Sequence, residues 1–524
     1  MNNMISYHNA TTALSISEKV GQFFMPAAFI NDTEEEIKRI EKSILEDGIG
    51  GLCFFHSRAS AATNFEGHKK ITYNENSFQT LKKLIQRYQN IAKHPLLISI
   101  DAEWGLAMRI ENTPQYPYAI TLGALQRNED LIFTLGKQIA NDCKAAGIHW
   151  NLAPVVDINN NANNPVIGYR SFGENKFLAT LKAAAFIKGT EMEGVLTCIK
   201  HFPGHGDTVI DSHLGLPLIE KSKEELVKNE LFPFQQLINE GVDSIMAGHL
   251  SIPALADGDT IPSSLSKKML KDLLRDEMKF KGVVISDALN MHAVAMNYPT
   301  KGALEWIAFD AGNDVLCFSE NVTAGVQTIL QNATATQIEE SFKRIWALKE
   351  KAIKKSSEKI ELSDAAPLNA LIAKESLTLY KGGLTGFKSQ KFIGIALGAT
   401  KHTFFNSIAK ELNFDTLEGI QDASHVSAYD HVLIALYPPK AKPANLFDLS
   451  EEEIAFIQAL MASKNVVLYL FGNPYVLNHI SIKKAQAVII AYQNFDVFQE
   501  NAAQHFLGKH LAVGKIPVTI KNKL

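Results

Sequence analysis

The sequence predicts an α/β protein, a (β/α)8 TIM barrel followed by a smaller α/β/α sandwich domain. Three observations predict it. Eight short, β-rich apolar runs recur through the first two-thirds of the 524-residue chain. Amphipathic stretches long enough for crossover helices separate most of them, and strands alternating with helices imply parallel pairing. Several runs end in a charged or imidazole side chain, which suits the open, C-terminal face of a parallel barrel.

The runs are Val20–Pro26, Ile49–Phe55, Pro95–Asp101, Ile148–Pro154, Val195–Phe202, Ser244–Leu250, Gly282–Asp287 and Asp314–Ser319. Ser77–Ile91 and Ser266–Lys279 are examples of the intervening helical stretches. The polar ends are Asp101, His201, His249 and Asp287. Any one of them reads equally well as a strand ending in a turn. Four of the same kind point to a shared catalytic face.

Residues 1–355 are assigned to the barrel. The segment Lys349–Pro367 is charged and nearly free of large aromatics, so it closes the last barrel helix, with 356–368 as linker. In residues 369–524 the α/β rhythm resumes with Lys391–Leu397, His431–Tyr437, Asn465–Phe471, Gln486–Tyr492 and Ile516–Ile520. Glu451–Ala462 is a helical segment between two of them. They predict a smaller, open, mostly parallel sheet covered by helices.

Hydrophobic residues make up 46% of the chain and charged residues 21%, with a net charge of -4. That balance is globular, and without a basic excess neither nucleic acid nor an anionic membrane is expected as the main partner. No apolar stretch is long enough to span a bilayer. The N-terminal MNNMISYHNATTALSISEKVGQFF has no basic start followed by an apolar run, so no secretory signal is expected. Of the four cysteines, Cys53, Cys198 and Cys317 sit in apolar strand-like runs, and with Cys143 they form no C-x-x-C pair. Reduced, buried packing residues and a cytoplasmic location are the expectation.

The segment densest in chemistry is Lys200–Pro217, KHFPGHGDTVIDSHLGLP, which follows a strand directly. Its breaks and polar content make it a loop at the strand's C-terminal end. One reading is metal binding, with His201, His205, Asp207, Asp211 and His213 as potential ligands. Against it, the spacing fits no familiar ligand pattern and Lys200 would repel a cation. The other reading is acid/base catalysis. Asp211 and His213 are two apart, so in an extended loop both side chains point the same way. The carboxylate can then hold the tautomer of the imidazole and stabilise its cation.

In GVVISDALNM a buried strand runs into Asp287 between the small residues Ser286 and Ala288. That suits a carboxylate nucleophile attacking an anomeric carbon, while an N-cap for the next helix is the plainer alternative. Two further segments, LISIDAEWGLAMR and NPVIGYRSFGEN, set charged residues after a strand or in a polar loop. Asp101 can accept hydrogen bonds from sugar hydroxyls, and Arg109, Arg170 and Lys200 can donate to hydroxyls or an acetamido carbonyl. Structural ion pairs are the alternative for each.

The run KHFPGHGDTVIDSH closely resembles the signature loop of bacterial β-N-acetylglucosaminidases of glycoside hydrolase family 3. ISDALNM is similar to that family's nucleophile segment, and APVVDINNNANNPVIGYRSFGEN and AQHFLGKHLAVGKIPVTI resemble further parts of it. The resemblance spans nearly the whole chain. It implies Asp287 as nucleophile, His213 as acid/base held by Asp211 on a mobile loop, and Asp101, Arg109, Arg170, Lys200 and His201 gripping N-acetylglucosamine. It implies an exo-acting enzyme that removes terminal β-linked N-acetylglucosamine, typically from muropeptides in cell-wall recycling, with a small carbohydrate as its partner and no metal or cofactor. Where the family usually shows a Gly-rich E-G-G stretch, this chain has Glu103-Trp104-Gly105, and Trp104 can stack on a sugar face or pack the mouth of the site.

The expected mechanism is double displacement with retention. A neutral acid/base in place of a second carboxylate also admits an anionic acceptor, so phosphorolysis of an N-acetylglucosaminide is an alternative, as is β-glucosidase activity of the same family. A non-catalytic sugar-binding protein is the competing class, since a barrel alone does not specify activity. Metal-dependent hydrolysis is a third, and it predicts loss of activity with a chelator.

Overall fold

The computed structural model describes residues 4–55, 73–208, 215–353, 360–398, 402–420 and 423–521. They belong to two compact units, the first comprising Met1–Gln115, Phe133–Ile158 and Ala183–Ser363 and the second Tyr116–Ile132, Asn159–Lys182 and Asp364–Leu524. The second unit is therefore more than the C-terminal segment marked out by composition. Two stretches from within residues 1–355 belong to it. Ile120, Ala124 and Ala162 join the same apolar cluster as its sheet. The buried Lys182 ammonium donates to the carbonyls of Leu122, Gly123 and Leu125 at 2.7–3.0 Å.

Every one of the eight apolar runs contributes a strand to the first unit. The strands are β1 (Phe24–Met25), β2 (Ala27–Phe29), β3 (Gly51–Phe55), β4 (Leu97–Ile100), β5 (Trp150–Asn151), β6 (Leu196–Thr197), β7 (Ile199–Phe202), β8 (Ser244–Ala247), β9 (Val283–Ser286) and β10 (Leu316–Cys317). All their pairings are parallel: β2 through β6 in sequence, β7 through β9 in sequence, and β1 with β10. Only Cys198 separates β6 from β7, and single parallel bridges join Val155 to Lys200 and Ile285 to Val315. β4, β7, β8 and β9 are buried throughout, and apart from Lys200 and His201 on β7 they hold only apolar residues and small serines, with no alternating polar face.

The helix Ser77–Ile91 has the bounds the periodicity predicts. Leu81, Leu84, Ile85 and Tyr88 form its buried face, the i, i+3, i+4, i+7 stripe of an amphipathic helix. On its outer side Arg87 bridges Glu34 and Glu41 of the helix Glu34–Lys42 at 2.6–3.0 Å. The run Val20–Pro26 departs from expectation. Ser15 and Glu18 form a reciprocal capping box that starts a helix over Ile16–Gly21, so Val20 and Gly21 are helical and the strand begins at Phe24.

One buried cation in this unit carries a stability prediction. Lys349, on the helix Ala335–Ala352, is fully buried, donates to Gln22 Oε1 at 2.5 Å and lies 5.5 Å from the Trp346 ring. Burial pushes its ammonium down to about 7. An unfolded chain holds that proton to about 10.4. Between the two values the unfolded state binds more protons, so stability rises with pH across that window. The melting temperature is expected to rise from pH 7 to pH 9, and Lys349→Met to flatten that rise. Equal slopes in both proteins would contradict it.

The second unit is built on β11 (Thr378–Gly382), β12 (Phe392–Gly398), β13 (Asp415–Glu418), β14 (His431–Tyr437), β15 (Asn465–Leu470) and β16 (Ala487–Ile490). Among the described residues its sheet runs in the order β11-β16-β15-β14-β12-β13, parallel except for β11 against β16. Alternate residues feed two cores. Ile393, Ile395, Val432, Ile434, Val466 and Leu468 join the cluster that includes Ile454 and Ile457 of the helix Glu451–Ser463. Leu433, Ala435, Val467 and Tyr469 join the cluster with Phe404, Phe405, Ala502 and Phe506.

The run Ile516–Ile520 forms no strand. Val518 and Ile520 are buried as its alternation suggests. The Pro517 carbonyl, however, accepts from Glu174 N–H and the Thr519 N–H donates to Glu174 Oε2. Conversely, β11 and β13 escaped the sequence reading, and the mostly exposed Asp-Thr-Leu-Glu of β13 carries no apolar period to detect.

Candidate active site

Asp101 comes directly after β4, where an apolar strand hands over to a polar loop. Its Oδ1 accepts from Lys200 Nζ at 2.7 Å and its Oδ2 from Arg109 Nη2 at 2.8 Å. Lys200, on β7, is 1% exposed and also meets Glu103 Oε1 at 2.8 Å. The Arg109 guanidinium lies over the Phe55 ring, 4.5 Å from its centroid. Burial alone would raise the Asp101 carboxyl; the Lys200 and Arg109 cations outweigh it and hold the group well below the usual carboxylate range. The result is a fixed, ionised carboxylate flanked by two cations, a set of donors and acceptors matched to polar ligands such as sugar hydroxyls.

Beside Lys200 the chain turns through His201-Phe202-Pro203-Gly204-His205. His201 Nδ1 lies 2.8 Å from Asp157 Oδ2, and the backbone N–H groups of His201 and His205 donate to Asp157 Oδ1 at 3.1 and 2.8 Å. Burial first, and the neighbouring His201 imidazole second, push His205 down to about 4, so it is neutral at pH 7. Thr208 Oγ donates to the His205 carbonyl at 3.2 Å and stands 2.8 Å from His205 Nδ1. With the hydroxyl proton so used, Nδ1 is the donor of that second bond. Gly204 holds a φ of +128°, and a Cβ there would sit 2.9 Å from Glu230 Cβ. Glu230 and Asp207 both pair with Lys221, at 2.7 and 2.6 Å, which ties down the root of the loop.

Asp287 comes directly after β9, and its N–H donates to the Ala247 carbonyl at 2.9 Å. Its Oδ1 accepts from the Ala288 N–H at 2.8 Å. The next helix, His292–Ala295, has Met291 at its cap position, so Asp287 is not an N-cap and that alternative falls. The fully buried His249 steadies the same turn. Its Nε2 meets the Ala288 carbonyl at 3.0 Å and its Nδ1 meets Ser264 Oγ at 2.6 Å. A carbonyl only accepts, so Nε2 carries the proton and Ser264 donates to Nδ1.

Of the residues singled out in the sequence, Asp101, Arg109 and Lys200 form one ion-paired cluster, and His201 adjoins it through the Lys200–His201 peptide. Arg170 belongs to the second unit, on the turn Gly168–Arg170. Asp211 and His213 lie outside the described residues. Three contributors were missed. Glu103 stands two residues after Asp101, a spacing that aims both carboxylates to one side. Asp157 ends the apolar segment Leu152–Val156 just as Asp101 ends its own. His249 was noted only as a polar strand end. Among the described residues no group of three or more His, Cys, Asp or Glu is disposed to hold a metal ion, and no helix is long and apolar enough to cross a membrane.

The glycosyl hydrolase family 3 N-terminal domain matches residues 15–348. A β-hexosaminidase A from Pseudoalteromonas piscicida is 33% identical over 282 residues, 51% of this chain and 45% of that protein's own length. A β-hexosaminidase from Haemophilus influenzae is 32% identical over 329 residues, 61% of this chain and 86% of its own length. Among solved structures, a glycoside hydrolase family 3 β-N-acetylglucosaminidase from Paenibacillus sp. str. FPU-7 is 27% identical, with a TM-score of 0.76 covering 98% of this chain and all of that one. With its α/β architecture of parallel sheets and its match to the N-terminal domain of the family, this chain belongs to glycoside hydrolase family 3 and is a glycoside hydrolase.

Proposed function

We propose that this protein is a retaining, exo-acting β-N-acetylhexosaminidase that removes terminal β-linked N-acetylglucosamine. In this reading the strands of the first unit close into a (β/α)8 barrel, β10 meeting β1, and the second unit is an α/β/α sandwich. What supports it most is a pair of features at C-terminal strand ends. Asp287 follows β9 directly, while a buried Asp101–Lys200–Arg109 cluster follows β4 and lies on β7. The names of the β-hexosaminidase relatives agree with it.

In the proposed mechanism an Asp287 oxygen attacks the anomeric carbon. The glycosidic C–O bond breaks, and His213, held by Asp211, protonates the departing oxygen. The covalent ester is then hydrolysed by a water that His213 deprotonates, giving net retention. Asp101, Arg109, Lys200 and His201 bind the sugar. Muropeptides in cell-wall recycling are the proposed natural substrates and the cytoplasm the proposed location, in keeping with four buried cysteines in no disulfide.

The test is turnover of p-nitrophenyl β-N-acetylglucosaminide beside the β-glucoside, with and without phosphate. The expected result is a preference for the N-acetyl sugar of at least about 100-fold in kcat/KM, the discrimination that a buried polar contact to a substituent supplies. Sugar 1-phosphate release that depends on phosphate would overturn hydrolysis in favour of phosphorolysis.

A further inference from the structure

Asp157 is 1% exposed. A carboxylate at such depth is costly unless hydrogen bonds meet its lone pairs, and here three of them come from one short stretch of chain. Oδ1 takes the backbone N–H groups of both His201 and His205, and Oδ2 takes His201 Nδ1. Burial alone would raise the Asp157 carboxyl; the neighbouring His201 and His205 outweigh it and hold it below its ordinary value, so it is ionised at neutral pH. An ionised carboxylate only accepts, so the proton of that contact sits on His201 Nδ1. The arrangement is that of an acid orienting an imidazole: it selects the tautomer and restrains ring rotation.

We infer that Asp157 is a positioning residue for the reaction proposed above, engaging His201 Nδ1–H and so fixing the tautomer and the plane of the ring that faces the sugar. The inference rests on the reading of His201 as a sugar ligand. Asp157 touches no substrate itself and acts through His201. Its second oxygen ties the same carboxylate to the backbone at His205, so ring and loop root share one anchor. His205 is held separately by Thr208, which leaves His201 as the ring that Asp157 controls.

Asp157→Asn is the informative variant. It keeps the size and an oxygen for the two backbone N–H groups, but its amide nitrogen cannot accept from Nδ1–H. The expected result is a fall in kcat/KM on the order of 100-fold, the usual loss when an orienting partner of an imidazole is removed. Most of the fall should lie in KM, and melting should change by only a few degrees. The ring-nitrogen 15N resonances of His201 should show the proton on Nδ1 in the wild type and on Nε2 in the variant. In the His201→Ala background, Asp157→Asn should cost nothing further, because the ring it orients is gone.

Additive losses in the double variant would overturn the inference, as would a wild-type His201 protonated on Nε2 alone. The second observation needs no folded variant. A wild type inert on the N-acetyl sugar would defeat the proposed function and this role with it. An active wild type with additive variants would defeat this role alone.

Discussion

Asp287→Ala is expected to lower kcat/KM on p-nitrophenyl β-N-acetylglucosaminide by about 10^4-fold or more, some 5–6 kcal/mol of transition-state stabilisation. Asp287 ends a fully buried strand, and the Ala247 carbonyl and the Ala288 N–H hold its backbone and its carboxylate. Removing the side chain leaves the backbone bond to Ala247 in place, so the fold should be retained while the proposed nucleophile is lost. Azide should then rescue the variant. It fits the space of the missing carboxylate and attacks the opposite face of the sugar, giving the inverted glycosyl azide from a substrate whose leaving group needs no proton. Unassisted full activity in Asp287→Ala, or rescue with a retained product, would remove Asp287 from the role.

Lys200→Met is expected to be the most damaging change in the ion-paired cluster. The ammonium sits between Asp101 Oδ1 at 2.7 Å and Glu103 Oε1 at 2.8 Å with only 2% of its side chain exposed. Losing one partner of a buried ion pair costs about 3–5 kcal/mol, because the charge left behind is neither paired nor hydrated. Here Asp101 and Glu103 would lose the ammonium between them, with Asp101 keeping Arg109. A lower melting temperature and a fall in kcat/KM of about 10^3-fold are expected, the latter equivalent to about 4 kcal/mol of lost transition-state stabilisation. Adding Glu103→Gln removes the surplus charge, so the double variant should regain much of the stability and none of the activity. A single variant with normal kcat/KM would show that Lys200 serves only the fold.

The strand ends that carry the candidate site were legible in the sequence. An apolar strand that runs into an acid is costly unless the acid is used, and Asp101 and Asp287 both follow that pattern. Most strands of the first unit were legible because burial on both faces leaves largely apolar runs, whereas β2 (Ala27–Phe29) lies outside all eight of them. Other features were not legible because their cause is non-local. Nothing in the sequence around Asp157 says that its hydrogen bonds lie some 44–48 positions away, at His201 and His205. Nor does composition reveal that residues 116–132 and 159–182 pack with the second unit, because Ile120, Ala124 and Ala162 look like any barrel-core residues until their neighbours are known. The alternation in Ile516–Ile520 reported burial correctly, but side chains of Glu174 and Asn478 hold the backbone on either side, where a strand would have paired.

The most direct test of the account is to trap the covalent intermediate. A fluorinated N-acetyl-β-glucosaminide with a good leaving group forms its glycosyl–enzyme quickly and releases it slowly. Intact mass followed by peptide mapping then reads which residue carries the sugar. The account predicts one glycosyl adduct per chain, on the peptide containing Asp287, and none in Asp287→Ala. An adduct on another side chain, or steady turnover to an inverted product with no adduct at all, would contradict it.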